Sequence, residues 1–169
     1  NTARSSPKRA VFTDEMRKTK TILTPNMLSI QFKSNILIMR NYGYNIELLE
    51  SQGAASVEQG LKNVHNDTCY PALLVIGQLI DALESGKYDK DKVALLISQT
   101  GGGCRASNYI HLLRKALHKS GNDHIPVISL NLAGLEENPG FKLTIPMYYQ
   151  LLYGILLGDF IMHLYHQAK

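Results

Sequence analysis

A chain of 169 residues has room for one domain of ordinary size, burying about two-thirds of its unfolded surface, so its core needs neither metal nor cross-links. The formal charge of +4 is confined to the start: residues 1–20 hold Arg4, Lys8, Arg9, Arg17, Lys18 and Lys20 against Asp14 and Glu15, while residues 21–169 carry twelve bases and twelve acids. A neutral body argues against nucleic-acid binding through a basic face, and two cysteines 35 residues apart, with no charged-apolar-small leader pattern, predict thiols in a reducing, cytoplasmic compartment.

Residues 1–20 mix Ser, Pro, Lys and Arg without apolar periodicity and read as a flexible basic tail or linker ahead of an α/β domain over 21–169. Thr21–Leu23 is a short strand. Pro25-Asn26 opens a helix over Met27–Asn41 that Gly43 closes, and Asn45–Leu49 is the second strand. Ser56 with Gln59 three residues on forms a capping-box pattern opening a short helix toward Val64. The polar turn Asn66-Asp67-Thr68-Cys69-Tyr70-Pro71 leads into a helix that runs to Glu84. Val93–Ser98 is a continuous apolar run, the mark of a strand covered on both faces. After Gln99-Thr100-Gly101-Gly102-Gly103-Cys104, a helix over Ala106–Lys119 ends at Gly121, and Ile125–Leu130 is the fourth strand.

Strands alternating with helices at this spacing predict a three-layer domain, Rossmann-like or flavodoxin-like, with a mainly parallel sheet of about four strands. Ile145–Tyr165 is long enough to span a bilayer and carries Gly154 and Gly158 at the spacing of packed membrane helices. Gln150, Asp159 and His163 argue for a buried amphipathic helix instead, so no membrane is expected as a partner. The chain ends beside this helix with no further strand, which reads as a piece of a longer protein.

In an open parallel sheet, ligands meet the carboxyl ends of the strands. The three glycines stand at such an end, where they suit positive φ or close backbone approach to a ligand; a plain tight turn is the alternative. There is no Gly-Lys-Ser/Thr of a P-loop, and Gly101-Gly102-Gly103 lacks the spacing of a dinucleotide fingerprint. Cys69 and Cys104 each sit just before a helix start, where amide hydrogens and the dipole favour a thiolate; spacing alone leaves metal ligation and simple packing both open. The six histidines show no paired spacing with acids, and His118 near a helix end reads as a dipole partner. Tyr148, Tyr149, Tyr153 and Tyr165 recur at helical spacing and read as core or interface contacts. No Gly-x-Ser-x-Gly elbow or nucleophile with a base is present, which argues against hydrolase chemistry. Asn131, directly after the fourth strand, is expected at the same sheet edge as the glycine turn.

Four stretches, Asn66–Ala72, Gly77-Gln78-Leu79-Ile80, Ser98–Tyr109 with its Thr-Gly-Gly-Gly-Cys-Arg-Ala-Ser-Asn-Tyr core, and Pro126–Asn131, together resemble the activase-related proteins of the 2-hydroxyacyl-CoA dehydratase system. The likeness covers about residues 21–165. It implies an anaerobic, oxygen-sensitive protein in which an ATP-hydrolysing activator domain works with dehydratase-like domains that hold a 4Fe–4S cluster and pass single electrons. By that pattern Cys69 and Cys104 are the available ligands, with Gly101, Gly102, Gly103, Arg105, Ser107, Asn108 and Asn131 around the cofactor.

The implied role is ATP-driven, low-potential electron transfer toward a dehydratase or reductase. ATP would be bound elsewhere in the parent chain, whose remainder would be the main partner. This stretch would not be catalytic alone, lacking both the ATPase domain and a third cysteine. The other reading is a non-catalytic binding or scaffold domain whose glycine turn holds an anion or an acyl-CoA fragment while the cysteines pack.

Overall fold

The computed structural model describes residues 9–51, 53–65, 68–98, 108–130 and 138–168. Four strands, β1 (Thr21–Thr24), β2 (Ile46–Leu48), β3 (Val93–Ser98) and β4 (Val127–Leu130), form one all-parallel sheet in the order β2-β1-β3-β4. Among the described residues the helices are α1 (Asp14–Thr19), α2 (Ser29–Asn41), α3 (Ala54–Asn63), α4 (Tyr70–Glu84), α5 (Tyr109–Lys119) and α6 (Ile145–Gln167). The fold is the expected three-layer α/β domain. Its strand order, left open by the sequence, is the one with which flavodoxin-like sheets begin.

The period-two alternation of each strand sorts its side chains into two cores. Leu23, Val93, Leu95, Ile97 and Val127 pack with α4 and α5 on one face. Ile22, Ile46, Ala94, Leu96 and Ile128 pack with α2, Met147 and Leu151 of α6, and Phe12 on the other. Right-handed crossovers require this division. The chain steps from β1 to β2 in one direction with α2 on one face, then from β2 across β1 to β3 and on to β4 in the other direction with α4 and α5 on the opposite face.

Three elements differ from the sequence reading. The tail is shorter than expected: Phe12 is fully buried, its N–H donates to Asn138 Oδ1, Gly140 N–H donates to Phe12 O, and α1 follows with Thr13 as its N-cap. One anchoring aromatic and a six-residue helix that buries nothing leave no periodicity to detect. Ser56 does not cap α3, which begins two residues earlier with Gly53 at the N-cap; Ser56 is buried, and its hydroxyl donates to Asp81 Oδ2 of α4 at 3.1 Å. Of the helix expected over Ala106–Lys119, the described part is α5, which agrees; Ala106 lies outside the described residues.

The largest departure is α6, expected to be buried. Among the described residues it is the one helix long and apolar enough to cross a membrane, yet it buries only Met147, Leu151, Gly154 and Gly158. That stripe lies on α2, where a Cβ on Gly154 would sit 2.7 Å from Asn35 Oδ1 and one on Gly158 would sit 2.8 Å from Gln31 Cγ. Across the contact, Gln31 Nε2 donates to Asp159 Oδ1 at 2.6 Å and Ser34 Oγ to the Gly154 carbonyl at 3.1 Å. The two glycines therefore serve close packing on a polar helix, the same backbone logic that membrane helices use. Tyr148, Tyr149, Tyr153 and Tyr165 are exposed and are not core contacts.

The α3 and α4 helices also meet through glycine: a Cβ on Gly77 would overlap the Ser56 carbonyl oxygen, and one on Gly60 would overlap the Leu73 carbonyl oxygen. Because the obstacle is backbone, Gly77→Ala is expected to lower stability by about 1–3 kcal/mol, read as a lower urea midpoint with unchanged slope. Near the end of α4, Lys90 Nζ (2.7 Å) and Asn122 Nδ2 (3.3 Å) donate to Glu84 Oε1 and hold its carboxyl below the usual value. A depressed carboxyl stabilises the fold above its unfolded pKa and loses that contribution as pH falls through the folded value. Being a surface pair, it is worth about 0.5 kcal/mol, so Glu84→Gln should cost that much at neutral pH and nothing once the carboxylate is protonated.

Candidate functional site

At β1 the chain first turns one way along the sheet and then the other, which opens a crevice outside the carboxyl ends of β1 and β3. The structure has a cleft of about 560 Å³ at that place. Asn26 enters it just past β1, Ser98 from the last position of β3, and Tyr109 from the first turn of α5. Pro71, Leu74, Val75 and Gln78 share one face of α4 at helical spacing and form a wall, with exposed Tyr70 at the rim.

Gln78 is a buried polar residue in an otherwise apolar stretch of α4, and its Oε1 accepts the Asn26 N–H at 3.0 Å, fixing the exit of β1 to the helix. Asn26 Oδ1 is enclosed and has no partner among the described residues. An enclosed acceptor of this kind costs about 1–3 kcal/mol when left unpaired, which makes it a natural contact for a ligand's donor.

Of the sequence-predicted residues, Cys69 is half-buried at the N-cap of α4, and its Sγ lies 3.3 Å from Tyr109 Oη. Asn108 is the exposed N-cap of α5, one residue before that tyrosine. Gly101, Gly102, Gly103, Cys104, Arg105, Ser107 and Asn131 lie outside the described residues. Cys69, by contrast, stands on the carboxyl side of the sheet, against the helix that follows β3.

Among the described residues, those lining the cleft carry no charged side chain. Two helices start beside it, α4 of 15 residues and α5 of 11, and their exposed amide hydrogens and dipoles give the region a positive bias. Among the described residues the lining contains no acid–base pair, while the thiol of Cys69 and the phenol of Tyr109 adjoin it as a hydrogen-bonded pair. Among the described residues no three His, Cys, Asp or Glu side chains gather as a metal site.

Gln78, Ser98 and Tyr109 fall in the stretches that carry the family resemblance and Asn26 in a helix-opening pair, but none of the four was expected as a site residue. Gln78 was detectable as a polar residue on an apolar helical face, and Asn26 as the first polar residue past a strand, but only the sheet order shows that β1 and β3 border the crevice. A second recess, of about 450 Å³, lies near the start of β4 with Leu117, Ile125 and Val127 as floor and Arg9, His111, Arg114 and Lys115 about it. It stands at the amino edge, away from the crevice that the topology makes, and so is the weaker candidate. There His118 Nδ1 meets Asp123 Oδ2 at 2.8 Å, a partner that the reading of His118 as a dipole contact did not foresee.

Compared with known protein families, with curated proteins and with solved structures, the chain matches none.

The Cys69–Tyr109 contact makes a direct prediction. A hydroxyl that donates to sulfur stabilises the thiolate, the form that reacts with alkylating agents. In a Cys104→Ala background, Tyr109→Phe should slow iodoacetamide alkylation of Cys69 at neutral pH by about threefold to tenfold. An unchanged rate would show that the hydroxyl does not bear on the thiol.

Proposed function

We propose that the carboxyl edge of β1 and β3 is an iron–sulfur site, and that the domain serves ATP-driven, low-potential electron transfer as part of a protein related to 2-hydroxyacyl-CoA dehydratase activators. The observation that carries this reading is the 3.3 Å approach of Cys69 Sγ to Tyr109 Oη. Tyr109 stands five residues after Cys104 in the sequence, so Cys69 touches the helix that follows the second cysteine, which supports a shared site.

The residues present suit one flank of a cluster. Cys69 offers a half-buried sulfur at a helix start, Tyr109 a hydroxyl to that sulfur, and α4 an apolar wall that limits water. Cys69 and Cys104 would hold the cluster, with Arg105, Ser107, Asn108 and Asn131 around it. A 4Fe–4S cluster bound there would supply one-electron chemistry at low potential. This chain's own contribution is to orient Cys69 through the N-cap geometry of α4 and to donate the Tyr109 hydrogen bond, which raises a cluster's potential by stabilising charge on sulfur. The sequence has no third cysteine, so the remaining positions would be filled by another part of the assembly, by a small ligand or by a non-cysteine group. A low-potential cluster fits a reducing cytoplasm.

Anaerobic reconstitution with iron and sulfide, followed by metal and labile-sulfide analysis and electron paramagnetic resonance after reduction, is the test. Cluster content should approach about four irons per chain and fall to background in Cys69→Ala and in Cys104→Ala, while Tyr109→Phe should keep the iron and lower the midpoint potential by roughly tens of millivolts. Content that survives the double cysteine replacement would overturn the ligand assignment. The domain would then be better read as a binding module in which the glycine turn and the two helix starts hold an anion.

A further inference from the structure

The exposed side of α6 is the feature that nothing above explains. With 3.6 residues per turn, Ile145, Tyr149, Tyr153, Leu156, Phe160 and Leu164 fall on one line about 180° around the helix from the stripe that packs on α2. Spaced four or three apart, they make a continuous apolar seam, and each is between 50% and 74% exposed. Leu152 and Leu157 flank it, also exposed. A helix that is apolar on opposite sides is stable in water only when both sides are covered, and α2 covers one.

A bilayer is a poor occupant. The buried stripe of α6 is already seated on Gln31, Ser34 and Asn35 of α2, so immersion would carry that polar helix into lipid. An interfacial anchor needs Lys or Arg beside its apolar face, and α6 contains neither.

We propose that the seam is the self-association surface of this protein, two copies pairing α6 against α6 about a twofold axis that passes near Leu156. Two properties single out a second copy. The seam carries no Lys, Arg, Asp or Glu, and the one acidic residue of α6, Asp159, is engaged by Gln31; exposed His163, about 20° around the helix from Leu156, meets Tyr149 and not its own equivalent in a pair centred on Leu156, so an identical surface meets no like-charge penalty when placed against itself. Its extent also fits: with about half of each side chain exposed, the six seam residues and two flanking leucines present roughly 700 Å², close to the ~800 Å² per partner of a stable interface. Leu156 is near the middle of the seam, so in a symmetric pair it lies close to its own equivalent.

Sedimentation equilibrium across the micromolar range tests this, and the chain should run at twice its monomer mass. Leu156→Glu sets two carboxylates against each other at the axis and should raise the dissociation constant at least about a hundredfold, with far-ultraviolet circular dichroism confirming that it folds. In case that variant does not fold, Leu156→Cys in a background with Cys69 and Cys104 replaced by Ala should cross-link quantitatively under mild oxidation. His118→Cys, exposed on α5, should not. A wild-type chain that is monomeric throughout, a monomer that instead partitions into neutral phosphatidylcholine vesicles, or equal cross-linking at both positions would each overturn the proposal.

Discussion

The placement of β1 between β2 and β3 governs the rest of this structure. Because Ile22 pairs in register with Ile46 on one side and with Ala94 on the other, the chain must leave β1 in one direction and later pass back across it. Parallel pairing aligns the carboxyl ends of the strands, and the reversal separates the connections that follow β1 and β3 onto opposite faces. The crevice between those connections follows from strand order before any side chain is considered. Side chains then give it character: Gln78 ties the exit of β1 to α4, and Tyr109 ties the start of α5 to Cys69.

The position of Cys69 depends in turn on how tightly α3 and α4 approach. Gly60 and Gly77 remove the Cβ atoms that would hold the helices apart, and the Ser56 hydroxyl and Asp81 carboxylate fill the polar gap between them. The α4 face that lines the cleft is continuous with this contact, so its starting residue is set by packing throughout its length. A thiol held in this way would lose little further freedom on binding a ligand.

The same device, glycine at a helix crossing, produces a different outcome at α6. Gly154 and Gly158 bring that helix against Gln31, Ser34 and Asn35 along a narrow polar contact. This fixes its orientation while using only a small part of its apolar surface. The sheet-facing ends of the contact, Met147 and Leu151, anchor it to the second core. The uniform apolarity of the rest of the helix suits contacts on two sides better than a one-sided amphipathic role.

What the sequence determined alone was the local content: the apolar run Val93–Ser98 as a strand covered on both faces, the helix ends marked by Gly43 and Gly121 with their positive φ, and Pro71 in the first turn of α4. These follow from backbone sterics and from periodicities that a short window contains. The expected family likeness put Cys69 at the same sheet edge as the glycine turn, while periodicity and spacing did not; the fold sets Cys69 on the carboxyl side through Tyr109, a neighbour 40 positions away. Strand order, the inward turn of Asn26 and Gln78, the anchoring of Phe12 by Asn138 and the exposure of α6 were decided by tertiary structure, since each joins residues that no window spans. A glycine pair reads alike in a buried helix, a membrane helix and a surface helix; which it is depends on what the rest of the chain brings against its other face.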